Sequence, residues 1–171
     1  MKSILELTSS RLRDFEPCVH GGEVWEVARR NNVSHRSLLD LSANINPLGP
    51  PRKAMEAITN CLKDIPMYPD SNSLELRRAI SNYIGGIGHE NVIVGNGSTE
   101  LIYLFTETFL EEGDEALIPT PTFGEYAKAV IKSGGKPKHV RMNRGFTIDA
   151  NTLLGRCGPK TKAIFICNPN N

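Results

Sequence analysis

Three short runs of strand-forming residues each hand over directly to a polar turn. Val92-Ile93-Val94 runs into Gly95-Asn96-Gly97, Ala116-Leu117-Ile118 is ended by Pro119 and Pro121, and Ala163-Ile164-Phe165-Ile166-Cys167 runs into Asn168-Pro169-Asn170-Asn171. Helical stripes lie between them: Leu101, Ile102, Leu104, Phe105 and Phe109 share one face, and Phe123, Tyr126, Ala127, Val130 and Ile131 another, stopped by Gly134-Gly135. His139 to Met142 alternates as a further strand. Upstream, Val24, Trp25 and Ala28 predict a short helix, and Asp40 to Pro51 a polar, extended segment. Ala54, Met55, Ile58 and Leu62 predict a helix ending before Pro66. Leu76, Ile80, Tyr83 and Ile84 predict another, begun near Asn72 or Ser73 and stopped by Gly85-Gly86. Strands alternating with helices, without repeats, predict an α/β fold: a largely parallel sheet with helices on both faces. Such sheets bind ligands beyond the carboxyl ends of their strands.

Two of the turns carry chemistry. Gly95-Asn96-Gly97-Ser98-Thr99-Glu100 has the order strand, glycine turn, helix start. Its glycines allow positive φ and close approach of the backbone. Ser98 and Thr99 bring hydroxyls and amides to the positive end of the helix dipole, which makes a cup for a phosphate. It is neither Gly-x-Gly-x-x-Gly nor a Walker loop. The plainer reading is a helix cap by Ser98. In Asn168-Pro169-Asn170-Asn171, Pro169 stops the strand and holds the turn rigid. The plainer reading there is an ordinary turn.

Composition narrows the partners. At 171 residues the chain is one domain or a piece of one, and 39% hydrophobic content suits a globular protein. A net charge of +1 gives no electrostatic case for nucleic acid or a membrane surface. No apolar run reaches bilayer length, and Met1 to Arg13 lacks the core of a secretory signal. Cys18, Cys61, Cys157 and Cys167 show no Cys-x-x-Cys pairing, and His20, His35, His89 and His139 lack metal-ligand spacing. Reduced thiols, a cytoplasmic location and no metal are the expectation.

Gly95 to Glu100, then Pro121-Thr122-Phe123-Gly124-Glu125-Tyr126, then Asn168 to Asn171 resemble, in that order, fold-type-I pyridoxal-phosphate enzymes, the class I/II aminotransferases. Within that class they look like the histidinol-phosphate aminotransferase branch. His20-Gly21-Gly22 and Leu39-Asp40-Leu41-Ser42-Ala43-Asn44-Ile45-Asn46-Pro47-Leu48-Gly49-Pro50 further resemble the threonine-phosphate decarboxylases of cobalamin biosynthesis. The resemblance implies a fold-type-I transferase fold with an incomplete, mainly parallel sheet. Residues 1–51 would form an arm and substrate segment, and residues 52–171 the first part of a cofactor-binding domain. It implies pyridoxal 5'-phosphate as cofactor, with Gly97, Ser98 and Thr99 at the phosphate. Phe123 would stack on the ring, Asn171 would bond its phenolic oxygen, and Tyr68 would reach the phosphate in the other subunit of a homodimer. His20, Gly21 and Asn44 would contact a small phosphorylated amino-acid substrate. Each residue keeps a plainer reading: Phe123 as core on the Tyr126–Val130 stripe, Tyr68 as a buried turn aromatic, Asn44 as an Asx turn before Pro47, His20 as a loop histidine.

The implied reaction is decarboxylation of O-phospho-L-threonine to (R)-1-aminopropan-2-yl phosphate, a carbon–carbon lyase activity. The alternative is a histidinol-phosphate aminotransferase. An alternative of another class is a non-catalytic phosphate-binding fragment. The family's Schiff-base lysine, its pyridinium-pairing aspartate and its substrate arginines match nothing between Met1 and Asn171. These residues therefore contain no implied catalytic group, and they are expected to be inactive without further sequence.

Overall fold

The computed structural model describes residues 8–13, 15–18 and 20–170. In order, the elements are α1 (Ser10–Arg13), α2 (Val24–Asn31), α3 (Arg52–Cys61), α4 (Leu74–Ile84), α5 (Ser98–Phe109), β1 (Glu115–Thr120), α6 (Glu125–Lys132), β2 (Lys136–Arg141), α7 (Ala150–Leu154) and β3 (Thr161–Ile164). They fall into two compact units, Met1–Cys18 with Ile93–Asn171, and Val19–Val92. No helix among the described residues is long and apolar enough to cross a membrane.

The unit over residues 93–171 is a parallel sheet in the order β2-β1-β3. Its central strand has Ala116, Leu117, Ile118 and Pro119 all buried, as a strand covered on both faces requires. Ala116 and Ile118 point to one face and join Leu110, Val130 and Ala163 in the core, with Tyr126, Ala127 and Phe165 packed against it. The edge strand β2 is blunted by Lys136, Pro137, Lys138 and Arg141, and Lys138 pairs with Glu115 of β1 at 2.8 Å.

Pro119 does not end β1 but lies inside it, opposite Val140. Leu117 accepts from the Phe165 amide on the β3 side, and Thr120 from the Met142 amide on the β2 side. The donor that Pro119 lacks would therefore face β3, whose ladder partners stop at Leu117↔Ile164. The last strand is Thr161–Ile164, earlier than the apolar run 163–167, because its register is set by Glu115 to Leu117. Val92 is extended, but Val92 to Val94 take no ladder partner among the described residues.

The unit over residues 19–92 carries α2, α3 and α4. The helix predicted to begin near Asn72 or Ser73 begins at Leu74, with Ser73 left-handed at φ 46°. Asp70 caps it, accepting from the Leu74 amide at 2.8 Å and the Asn72 amide at 3.0 Å. Gly85 and Gly86, both at φ 71°, stop it. The chain then turns back onto α4, where Arg77 donates to the His89 carbonyl and Ser81 to the Ile87 carbonyl.

Candidate active site

β1 leads through α6 to β2 on one side, and the chain then returns to place β3 on the other side of β1. The strand order therefore switches direction between β1 and β3, which makes their carboxyl ends the expected ligand crevice. Two of the polar motifs converge there. Asn170 donates its amide to the Pro121 carbonyl at 2.8 Å and accepts from the Thr122 hydroxyl at 2.8 Å. Asn171 lies outside the described residues.

Phe123 follows Thr122 and sits two residues before α6, so it is not on the helical stripe. It is half-buried and meets Tyr126 edge-on, with ring centroids 5.7 Å apart. Tyr126 itself stacks on Phe165 at 4.9 Å. Glu125 is buried and accepts from the Tyr103 hydroxyl at 2.8 Å, which ties the start of α6 to α5. Burial, and then the Glu125 carboxylate, raises the Tyr103 phenol.

Tyr126 is also raised, from 10 to about 12, by burial first and by its hydrogen bond to Cys167 second. A folded state that keeps a proton the unfolded chain has lost is fully stabilised below pH 10. That stabilisation fades as the pH climbs from 10 to about 12. The melting temperature is expected to fall across this window and Tyr126→Phe to flatten part of the fall, Tyr103 contributing the rest. An unchanged slope in the variant would place the proton elsewhere.

The turn expected to cup a phosphate stands at the start of α5. Gly97 is its N-cap at φ 87°, a conformation that favours glycine, while a Cβ there would meet only open space. No side chain caps this helix, so the expected cap by Ser98 is absent. Glu100 instead turns back to accept from the Asn96 amide, which satisfies that donor ahead of the helix. Ser98 is exposed and Thr99 half-buried. The amides that open α5 and these two hydroxyls form a donor set suited to an anion, so the residues fit a phosphate group.

In the other unit, the structure packs His20-Gly21-Gly22 against the segment that carries Asn44. The Gly22 amide donates to the Ser42 hydroxyl at 2.8 Å, and Ser42 donates its amide and hydroxyl to Asp40 at 2.8 and 2.6 Å. These bonds from Ser42, the hydroxyl's first, hold the Asp40 carboxyl below the usual carboxylate range. A Cβ on Gly21 would lie 1.9 Å from the Ser42 carbonyl oxygen. His20, Gly21, Val24, Val27, Leu39 and Ser42 help line a cavity at this junction. The Asx turn across Pro47 is made by Asn46, which accepts from the Leu48 amide at 3.0 Å, and not by Asn44. Asn44 and His20 are exposed, and Tyr68 is fully exposed rather than buried.

Sequence reasoning did not single out Thr122, Asn170, Tyr103, Asp40 or Ser42. Thr122, Asn170, Asp40 and Ser42 lie inside motifs already noted, Thr122 and Asn170 directly beside residues that were singled out. The partners of Thr122, Asn170, Tyr103 and Ser42, 20 to 49 positions away, reveal what they hold, while Asp40 holds Ser42 two positions on.

Residues 36–171 match the family model described as aminotransferase class I and II. The histidinol-phosphate aminotransferase of Methanosarcina barkeri is 36% identical over 97% of this chain and 45% of its own length. An aromatic aminotransferase structure from Pyrococcus horikoshii is 30% identical with a TM-score of 0.71, over 85% of this chain and 41% of its own. The Thermus thermophilus aspartate aminotransferase with maleate shares the fold at a TM-score of 0.83 and 24% identity, over all of this chain and 46% of its own. The chain thus spans less than half the length of these relatives.

Proposed function

The chain belongs to the aminotransferase class I and II family, and from that membership we propose that its parent protein transfers the amino group of histidinol phosphate. The family works with pyridoxal 5'-phosphate. The observation that carries the proposal is the switch point between β1 and β3, where Asn170 ties the turn after β3 to the turn bearing Phe123, within the unit that also holds the Gly97–Thr99 helix start. Relatives named histidinol-phosphate aminotransferase support the substrate.

When bound, pyridoxal phosphate supplies a conjugated ring that takes up the electron pair of a broken Cα bond. Ser98, Thr99 and the amides after Gly97 hold its phosphate. Phe123 would stack on the ring, as an aromatic side chain can. Asn171 would bond the phenolic oxygen. His20, Gly21 and Asn44 orient the phosphorylated substrate, Asn44 without adding charge. Residues 1–51 act as arm and substrate segment, and residues 52–171 open the cofactor domain. Tyr68, fully exposed, is offered to the phosphate site of a second copy in a homodimer. Four cysteines without a Cys-x-x-Cys pairing fit a cytoplasmic setting.

A second reading, decarboxylation of O-phospho-L-threonine, is favoured by one feature. The glycine pair after His20 is seated on Ser42, within the segment that resembles the decarboxylases. The two readings differ in which Cα bond is broken. The full-length protein, given histidinol phosphate and 2-oxoglutarate, is expected to form glutamate and to cycle its cofactor through the amine form. Carbon dioxide released from O-phospho-L-threonine, with no transamination, would replace the first reading by the second.

A further inference from the structure

We infer that Asn170 is a positioning residue whose carboxamide locks the turn bearing Phe123 to the turn that follows β3. The inference rests on the proposed role of Phe123 at the cofactor ring and extends it to the residue that holds the Phe123 turn in place. The backbone ladder between β1 and β3 runs out at the Phe165 amide, which donates to the Leu117 carbonyl at 2.9 Å. Beyond it, the two turns are joined by a side chain. Asn170 uses both ends of its amide across 48 and 49 residues of sequence, donating to Pro121 and accepting from Thr122. The two bonds run in opposite senses, so they fix the orientation of the carboxamide. Flipped, it would set its oxygen against the Pro121 carbonyl and its amino group against Thr122.

The Phe123 turn is held at three places. Asn170 holds Pro121 and Thr122, Tyr126 meets Phe123 edge-on, and Tyr103 holds Glu125. Of these, the Asn170 lock alone comes from the turn after β3. Its loss therefore loosens the placement of Phe123, while the turn at Gly97 to Thr99 stays as it is. Small misplacements of this kind are costly at a reacting centre.

The test uses the full-length protein, stripped of cofactor and titrated with pyridoxal phosphate. Absorbance of the cofactor band gives Kd, and its induced circular dichroism reports ring orientation. Thr122→Val removes one donor at nearly constant shape and is expected to raise Kd about 3- to 10-fold. Asn170→Asp keeps the acceptor but sets a carboxylate oxygen against the Pro121 carbonyl, and is expected to raise Kd more. Both variants should weaken the induced dichroism, and Thr122→Ser should restore Kd and dichroism together. Wild-type Kd and dichroism in both Thr122→Val and Asn170→Asp would overturn the inference. So would a weakening that Thr122→Ser fails to restore and that follows an equal loss of stability in the cofactor-free protein. If Asn170→Asp does not fold, the Thr122 pair decides the matter. A wild-type protein that takes up no pyridoxal phosphate would overturn the cofactor reading, and this inference with it.

Discussion

Replacing Ser98 and Thr99 together by alanine in the full-length protein is expected to weaken pyridoxal phosphate binding by about two to four orders of magnitude. A hydrogen bond to a charged group contributes about 1.5–3 kcal/mol, and each tenfold change in Kd is about 1.4 kcal/mol. The variant removes two such donors and leaves the backbone amides in place. The usual objection is that a hydroxyl at a helix start caps the helix, so its loss would act through folding. Here no side chain caps α5, and Gly97 occupies the N-cap at φ 87°. The cofactor-free variant should therefore unfold within about 0.5 kcal/mol of wild type, as surface substitutions do. Kd by titration and denaturant unfolding of the cofactor-free protein separate the two effects. Cofactor affinity unchanged in the double variant would reduce the cup to an ordinary helix start.

Gly21→Ala is expected to lower kcat/KM about 100-fold while leaving cofactor affinity close to wild type. A Cβ at this position would lie 1.9 Å from the Ser42 carbonyl oxygen and 2.6 Å from its carbon. These are backbone atoms and cannot rotate away, so one of the two segments must move by about 1 Å. Displacements of that size cost about two orders of magnitude when they misplace a substrate contact. The move also breaks the bond from the Gly22 amide to the Ser42 hydroxyl. Ser42→Ala removes that bond without the clash and should cost far less, which separates position from hydrogen bonding. Steady-state kinetics with histidinol phosphate, beside cofactor titration, make the measurement. An unchanged kcat/KM in Gly21→Ala would remove the His20–Gly22 turn from the substrate site.

The helices were largely legible in the sequence because their signal is local. Apolar spacing over one or two turns and a glycine stop place α3, α4 and α6 within a few residues. The glycine turn that opens α5 was legible for the same reason, since a glycine ahead of Ser98-Thr99 needs only its own backbone to take φ 87°. Phe123 was ambiguous because a periodic stripe does not reveal where a helix begins, and α6 begins two residues after it. Asn44 and Asn46 both precede Pro47, and only the folded turn gives the Asx bond to Asn46.

The sequence by itself determined the α/β class, the helical stripes, the central apolar strand and the family motifs. Each is written in neighbouring residues and in backbone preferences that act over a few positions. Tertiary structure decided which extended segments became strands. Val92 to Val94 stays unpaired among the described residues, and β3 starts at Thr161 because β1 supplies its register. It also decided the order β2-β1-β3 and hence the crevice, and it joined Asn170 to Thr122 and Gly21 to Ser42. A strand, a register and a cross-chain hydrogen bond exist only when two distant segments meet. No local propensity encodes which partner that will be.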